Sequence, residues 1–328
     1  MMRKRAVIFA ICLLLPCVGH AQRRGVNTKG NPVKVAGCKR CVLLTDISQH
    51  RIAIADLDRQ RIIWEWKSSE SGIPAGKLQW FKNYSDVKPV YGKKYLLVSS
   101  SAGGVALVRI ADKKAVFFSY AGGNTHSIAL LPDGNMISAS STGNFLMVFH
   151  VDTVQCPDVY KKRIYLHGAH NVVWDKKRNV LWAAGKTRLY RFRYNFNCRN
   201  PDLSPVDSVD LPGPGAHDLF PVYGKDSLFL TTIGGMYLMD PATKKIVPLV
   251  QPQVKNIKSV SSGPEGFPIL IMQPKVKWWS DEVLDLKGNR VFQQTGLKIY
   301  KARWFLSNRF SYPDEDIRVC AIKQETKN

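Results

Sequence analysis

One pattern recurs six times along this chain of 328 residues, and each time a histidine or lysine stands near the start of a short segment of β character. The positions are Lys88, His126, His170, His217, Lys258 and Lys301, in SDVKPVYG, NTHSIALLPDGN, GAHNVVWDKKRN, GAHDLFPVYGKD, NIKSVSSGPEG and IYKARWFLSN. Their successive spacings of 38, 44, 47, 41 and 43 residues fit a four-stranded propeller blade. After His126 an alternating run HSIALL reaches the turn Pro132-Asp133-Gly134-Asn135, and MISASS, the small turn Thr142-Gly143, FLMVFHV and RIYL follow. Alternation broken by such turns reads as four strands. No segment sustains a 3.6-residue period over a dozen residues, and 24 glycines with 18 prolines punctuate the runs, so a helical repeat is a poor alternative.

The grammar yields five complete blades and one inner strand, 301–306, left over at the C-terminus. The three strands it lacks are at the other end, in VLLTDIS, RIAIADLD and RIIWEW. The fold class expected is therefore all-β, a six-bladed propeller whose N- and C-terminal strands share one blade, because joining the ends removes exposed sheet edges. The Lys258 blade carries an additional Lys275–Trp279 stretch, expected as a loop over one face.

Met1-Met2-Arg3-Lys4-Arg5, an apolar run from Ala6 to Val18 and Gly19-His20-Ala21 describe a cleavable secretory signal. The run is shorter than the roughly 20 residues a membrane span needs, so the mature chain is expected to have no transmembrane segment. The resulting division is 1–21 signal peptide, 22–37 N-terminal extension and 38–328 a single propeller domain, with a periplasmic or extracellular location and a monomeric state expected. The formal charge is +23, or +20 once Arg3, Lys4 and Arg5 are removed. Such a surplus attracts polyanions, and export turns the expectation from nucleic acid toward acidic glycans or small anions. Five cysteines remain in an oxidising compartment. Cys156 and Cys198, after the third strands of adjacent blades, are expected to pair, and Cys320 to bond Cys38 or Cys41. Cys38-Lys-Arg-Cys41 stands without a second such pair or a thioredoxin-like context, so it is not read as a redox or zinc site.

H-S-I-A-L-L-P-D-G-N at 126–135 and G-A-H-N-V-V-W-D at 168–175 resemble an uncharacterised family of exported bacterial six-bladed propellers, mainly from Bacteroidota. The resemblance spans the mature chain and implies a fold and an exported location, with no activity attached. Weaker likenesses run to arylsulfotransferases, through the histidine-bearing L-P-D-G-N hairpin and Arg61-Ile-Ile-Trp-Glu-Trp66, and to propeller polysaccharide lyases, through histidines around an axis. Fold likeness does not carry function.

Inner strands line a propeller's channel, so the six marked residues are expected to converge as a basic ring at one mouth. Arg303 is expected on the same side of its strand as Lys301, and Trp174 as a stacking surface. Three chemistries fit. Uronate β-elimination would use Lys88, Lys258, Lys301 and Arg303 on the carboxylate and His126, His170 and His217 as acid and base. Sulfuryl transfer would use one nucleophilic histidine among cations. Recognition of an acidic small molecule or glycan needs neither, and a protein-interaction scaffold with a merely hydrated channel is the opposing reading. The lysines nearby and the lack of a carboxylate beside the histidines argue against a divalent metal, and no cofactor is expected. No P-loop, nucleophile elbow, dinucleotide turn or zinc-protease helix is present.

Overall fold

Strands such as Cys41–Asp46 (β1) and Arg51–Asp56 (β2) are buried at every residue, so each needs an apolar neighbour on both faces. A ring of radially packed sheets supplies one. The computed structural model describes residues 38–152, 161–252 and 254–313, and 24 strands among them form six sheets of four. Successive side chains of a strand serve opposite neighbours. Leu43, Ile52 and Ile54 pack against Val87, Leu96 and Val98 of the following blade. Val42, Leu44, Ala53 and Ala55 pack against Leu270, Met272 and Val283 of the preceding one. Four further clusters fill the remaining blade boundaries.

The ring closes as the strand pattern predicts. Ile299–Trp304 (β24) is the innermost strand of the first blade and pairs antiparallel with β1, Val42 opposite Trp304 and Leu43 opposite Arg303. The other inner strands are Tyr84–Val90 (β4), Thr125–Leu130 (β8), Asn171–Asp175 (β12), Asp218–Pro221 (β16) and Ser259–Ser261 (β20).

After β24 the chain crosses the face where the inner strands end. Ser311 Oγ donates to the Trp174 carbonyl at 2.7 Å, and Tyr312 bridges Leu130 by donating to its carbonyl at 2.7 Å and accepting from its amide at 2.9 Å. The space left beneath this strap, between Phe220, Tyr223, Ser262, Trp304 and Phe310, is about 30 Å³. That is room for little more than ordered water.

The cysteines depart in part from expectation. Cys38 and Cys41 bond to each other, which corrects the expected link from Cys320. Three residues of separation at the entrance to β1 hold their Cα atoms 5.8 Å apart, within ordinary disulfide reach. Cys198 is disulfide-bonded; Cys156 and Cys320 lie outside the described residues. Among the described residues no helix is long and apolar enough to cross a membrane.

Candidate functional site

Three of the marked residues occupy one structural position. His170, His217 and Lys258 immediately precede β12, β16 and β20, and each backbone amide donates to the adjoining second strand, at Ala184, Thr231 and Met272 carbonyls 2.8–2.9 Å away. His126 lies in a register shift between Thr125 and Ser127 of β8. These four side chains line a cavity of about 350 Å³ at the mouth, with Tyr84, Tyr300, Trp278, Asn83 and Asn124. Lys275–Trp279, the stretch expected as a loop, contributes Trp278 to its rim, edge-on to Tyr300 at 6.1 Å.

The imidazoles stack instead of converging on a point. His126 and His170 lie ring over ring, centres 4.3 Å apart and 11° from parallel, and His217 meets His170 edge-on at 5.5 Å. Among the described residues no group of three or more His, Cys, Asp or Glu is arranged to hold a metal ion. Such stacking suits neutral rings. Burial, reinforced by the charges of Lys301, His217 and Lys258, pushes His126 down to about 3, and burial with Lys258 pushes His217 down to about 3. His170 falls well below the usual range for the same first reason, its two ring neighbours adding to it. Burial is the larger cause in all three, ahead of the neighbouring charges.

Among the described residues two of these ring nitrogens have no hydrogen-bond partner. Lys258 Nζ lies 2.9 Å from His217 Nε2, and Tyr300 Oη lies 3.2 Å from His126 Nδ1. With Lys258 as the ammonium, Nε2 must accept, which leaves the ring proton on His217 Nδ1. That atom is buried and without a hydrogen-bond partner, as is His170 Nε2. Lys258 is 8% exposed and pairs with no carboxylate among the described residues. Burial, then the Lys301 charge, brings it down to about 8.

The other expected ring members are not at the mouth. Lys88 is the fifth residue of β4, while Lys301 and Arg303 are the third and fifth of β24. Each residue along a strand advances about 3.3 Å, so these side chains emerge farther down the channel. Arg303 forks between two carboxylates, with Nη2 2.7 Å from Asp218 Oδ1 and 3.1 Å from Asp86 Oδ1, and its plane lies over the Phe220 ring at 4.0 Å. Lys301 Nζ donates to Asp218 at 3.0 Å. Lys88 Nζ lies 3.2 Å from Asp86 and donates to Ser127 Oγ and to the Ile128 and Val172 carbonyls. Lys301, Arg303, Asp86 and Asp218 are wholly buried. Burial opposes ionisation of both aspartates, yet the surrounding cations outweigh it and hold both below the ordinary range. Three cations face two anions, so this plug leaves one positive charge beneath the cavity floor. Trp174 is also misplaced by the sequence reading. It is wholly buried between blades, edge-on to Tyr194 at 6.3 Å, because its position near the end of β12 points it into the boundary with the preceding blade.

The sequence reading missed Asp86, Asp218, Tyr300 and Trp278. Asp86 and Asp218 were visible in SDVK and AHDL, two residues before Lys88 and one after His217. Asp218 does stand beside a histidine, contrary to the expectation of no carboxylate there, but it faces Arg303 and Lys301.

A family described as "Family of unknown function (DUF6528)" matches residues 3–321. No curated protein matches the sequence. Among solved structures, a protein of unknown function from Bacteroides caccae superposes with a TM-score of 0.55 at 16% identity, over 81% of this chain and 98% of that one. That likeness concerns fold alone. Hydrazine synthase of Kuenenia stuttgartiensis has a TM-score of 0.44 at 12% identity, over 65% and 64% of the two chains, and bears on nothing further here.

Proposed function

The chain belongs to the family of unknown function DUF6528, and from its site we propose that it is an exported propeller binding a small acidic ligand, of the uronic-acid class, in the mouth cavity. The observation that carries this reading is Lys258, buried without a carboxylate beside the unpartnered His217 Nδ1 and near the unpartnered His170 Nε2. A buried cation without a counter-charge is costly. A ligand carboxylate would supply the counter-charge and accept from an imidazole N–H, while the exposed Trp278 at the rim offers a face for a sugar ring. A volume of about 350 Å³ falls at the lower end of ligand pockets, so one or two residues at a glycan end suit it better than a chain interior. The leader-like residues 1–21 and the Cys38–Cys41 disulfide support export, and the exported Bacteroidota-type assignment is part of the same proposal.

Titration calorimetry with galacturonate and galactose tests it. The acid is expected to bind about tenfold or more tightly, as a charged hydrogen bond contributes about 1.5–3 kcal/mol, and Lys258→Met should remove the preference. Equal binding of acid and neutral sugar would overturn the reading. A second reading, uronate β-elimination, is favoured by the Tyr300–His126 contact, because Tyr300 is held protonated by burial and can donate to a leaving oxygen. Its test is unsaturated product from oligogalacturonides.

A further inference from the structure

Three lysines are buried among the described residues, and two of them have an aspartate: Lys88 pairs with Asp86 and Lys301 with Asp218. Lys258 has none. Among the described residues the one hydrogen-bonding contact of its Nζ is His217 Nε2 at 2.9 Å, and the side chain lines the cavity. The groups that face it are His217 beside it, His170 and His126 across the cavity, Tyr300, and Lys301 below. The one carboxylate near His217 is Asp218, which already accepts from Lys301 and Arg303. A buried amine among neutral rings and a second cation is the environment that turns lysine into a nucleophile.

We propose that Lys258 is a reactive amine that forms an imine with the carbonyl group of an acidic ligand, an aldehyde acid or a 2-oxo acid. The proposal rests on the reading above that the cavity takes small acids. In the step, the lone pair of neutral Nζ attacks the carbonyl carbon and the C=O π pair moves to oxygen. One proton passes from nitrogen to that oxygen, His217 Nε2 being the base in contact with Nζ. Loss of the hydroxyl with a second proton releases water as the C=N bond forms. No oxidant or reductant is consumed. The proton affinity of Lys258, lowered to about 8, makes a large fraction neutral where a surface lysine is almost wholly protonated.

The test uses the full mature chain, pyruvate as probe and borohydride to reduce any imine, with adducts mapped by peptide mass. Lactate, which has the carboxylate but no carbonyl, serves as the binding control by calorimetry. The expected result is an adduct at Lys258 formed about tenfold or more faster at pH 8 than at any surface lysine, slowed by lactate and absent in Lys258→Arg. Should that variant fail to fold, the pH dependence of labelling in the unaltered protein decides: a midpoint near 8 supports the inference and one near 10.5 overturns it. Lactate binding without an adduct at Lys258 would overturn the imine and leave the acid-binding reading standing. Absence of both binding and adduct would remove both.

Discussion

Asp218 follows His217 in sequence yet serves another part of the molecule: its carboxylate accepts from Lys301 and from two nitrogens of Arg303, while the histidine faces the cavity. Removing one partner from a buried ionic group leaves the others uncompensated, typically at about 3–5 kcal/mol. Asp218→Asn is therefore expected to lower the unfolding free energy by that amount, read as a lower denaturant midpoint with an unchanged slope. By contrast Lys258→Met relieves an unpaired buried charge and should leave stability unchanged or raised. Equal loss in both variants would contradict the division of labour between plug and cavity.

Among the elements, closure of the ring depends on β24, since β1 finds its inner partner nowhere else. A chain ending before Ile299 would expose the β1 edge, an invitation to intermolecular pairing, and is expected to aggregate instead of folding, as read by size-exclusion chromatography. Tyr312→Phe is milder, removing two hydrogen bonds to Leu130 at about 1–3 kcal/mol. The strands themselves were legible from alternation and turn residues, and so was the closure, because a leftover strand at one end matched a three-strand deficit at the other. Height within a strand was not legible. His170, His217 and Lys258 share a position because each precedes its strand, whereas the repeat alignment placed Lys88 and Lys301 with them although both lie inside longer strands. Tyr300 and Trp278 left no signal in the repeat, one adjoining a marked residue and the other arising from a loop.

At the scale of the whole molecule, the buried titrating groups set how stability depends on pH. The folded histidines bind protons far less readily than unfolded ones, so between pH 6.5 and about 3 the unfolded chain holds more protons and stability falls as pH falls. The upper bound is about 1.4 kcal/mol per pH unit for each fully buried group, less for these half-buried rings. Asp86 and Asp218, held low, add a contribution present above their ordinary range and lost below it. Lys88 and Lys258, each lowered to about 8, act in the same direction at the alkaline end: from 8 toward 10.5 the unfolded chain again holds more protons, and stability rises with pH. Melting temperatures from pH 3 to 9 should therefore climb steeply through the acid range and still be gaining from these two lysines at 9. Ligand binding follows the opposite course at the alkaline end, since an acid needs Lys258 protonated, and affinity for galacturonate should fall as pH rises past 8. The most direct test is a crystal structure of the protein with galacturonate at saturating concentration. The account predicts the carboxylate within hydrogen-bonding distance of Lys258 Nζ and of a ring nitrogen of His170 or His217; an unoccupied mouth, or sugar bound only on the outer strands, would contradict it.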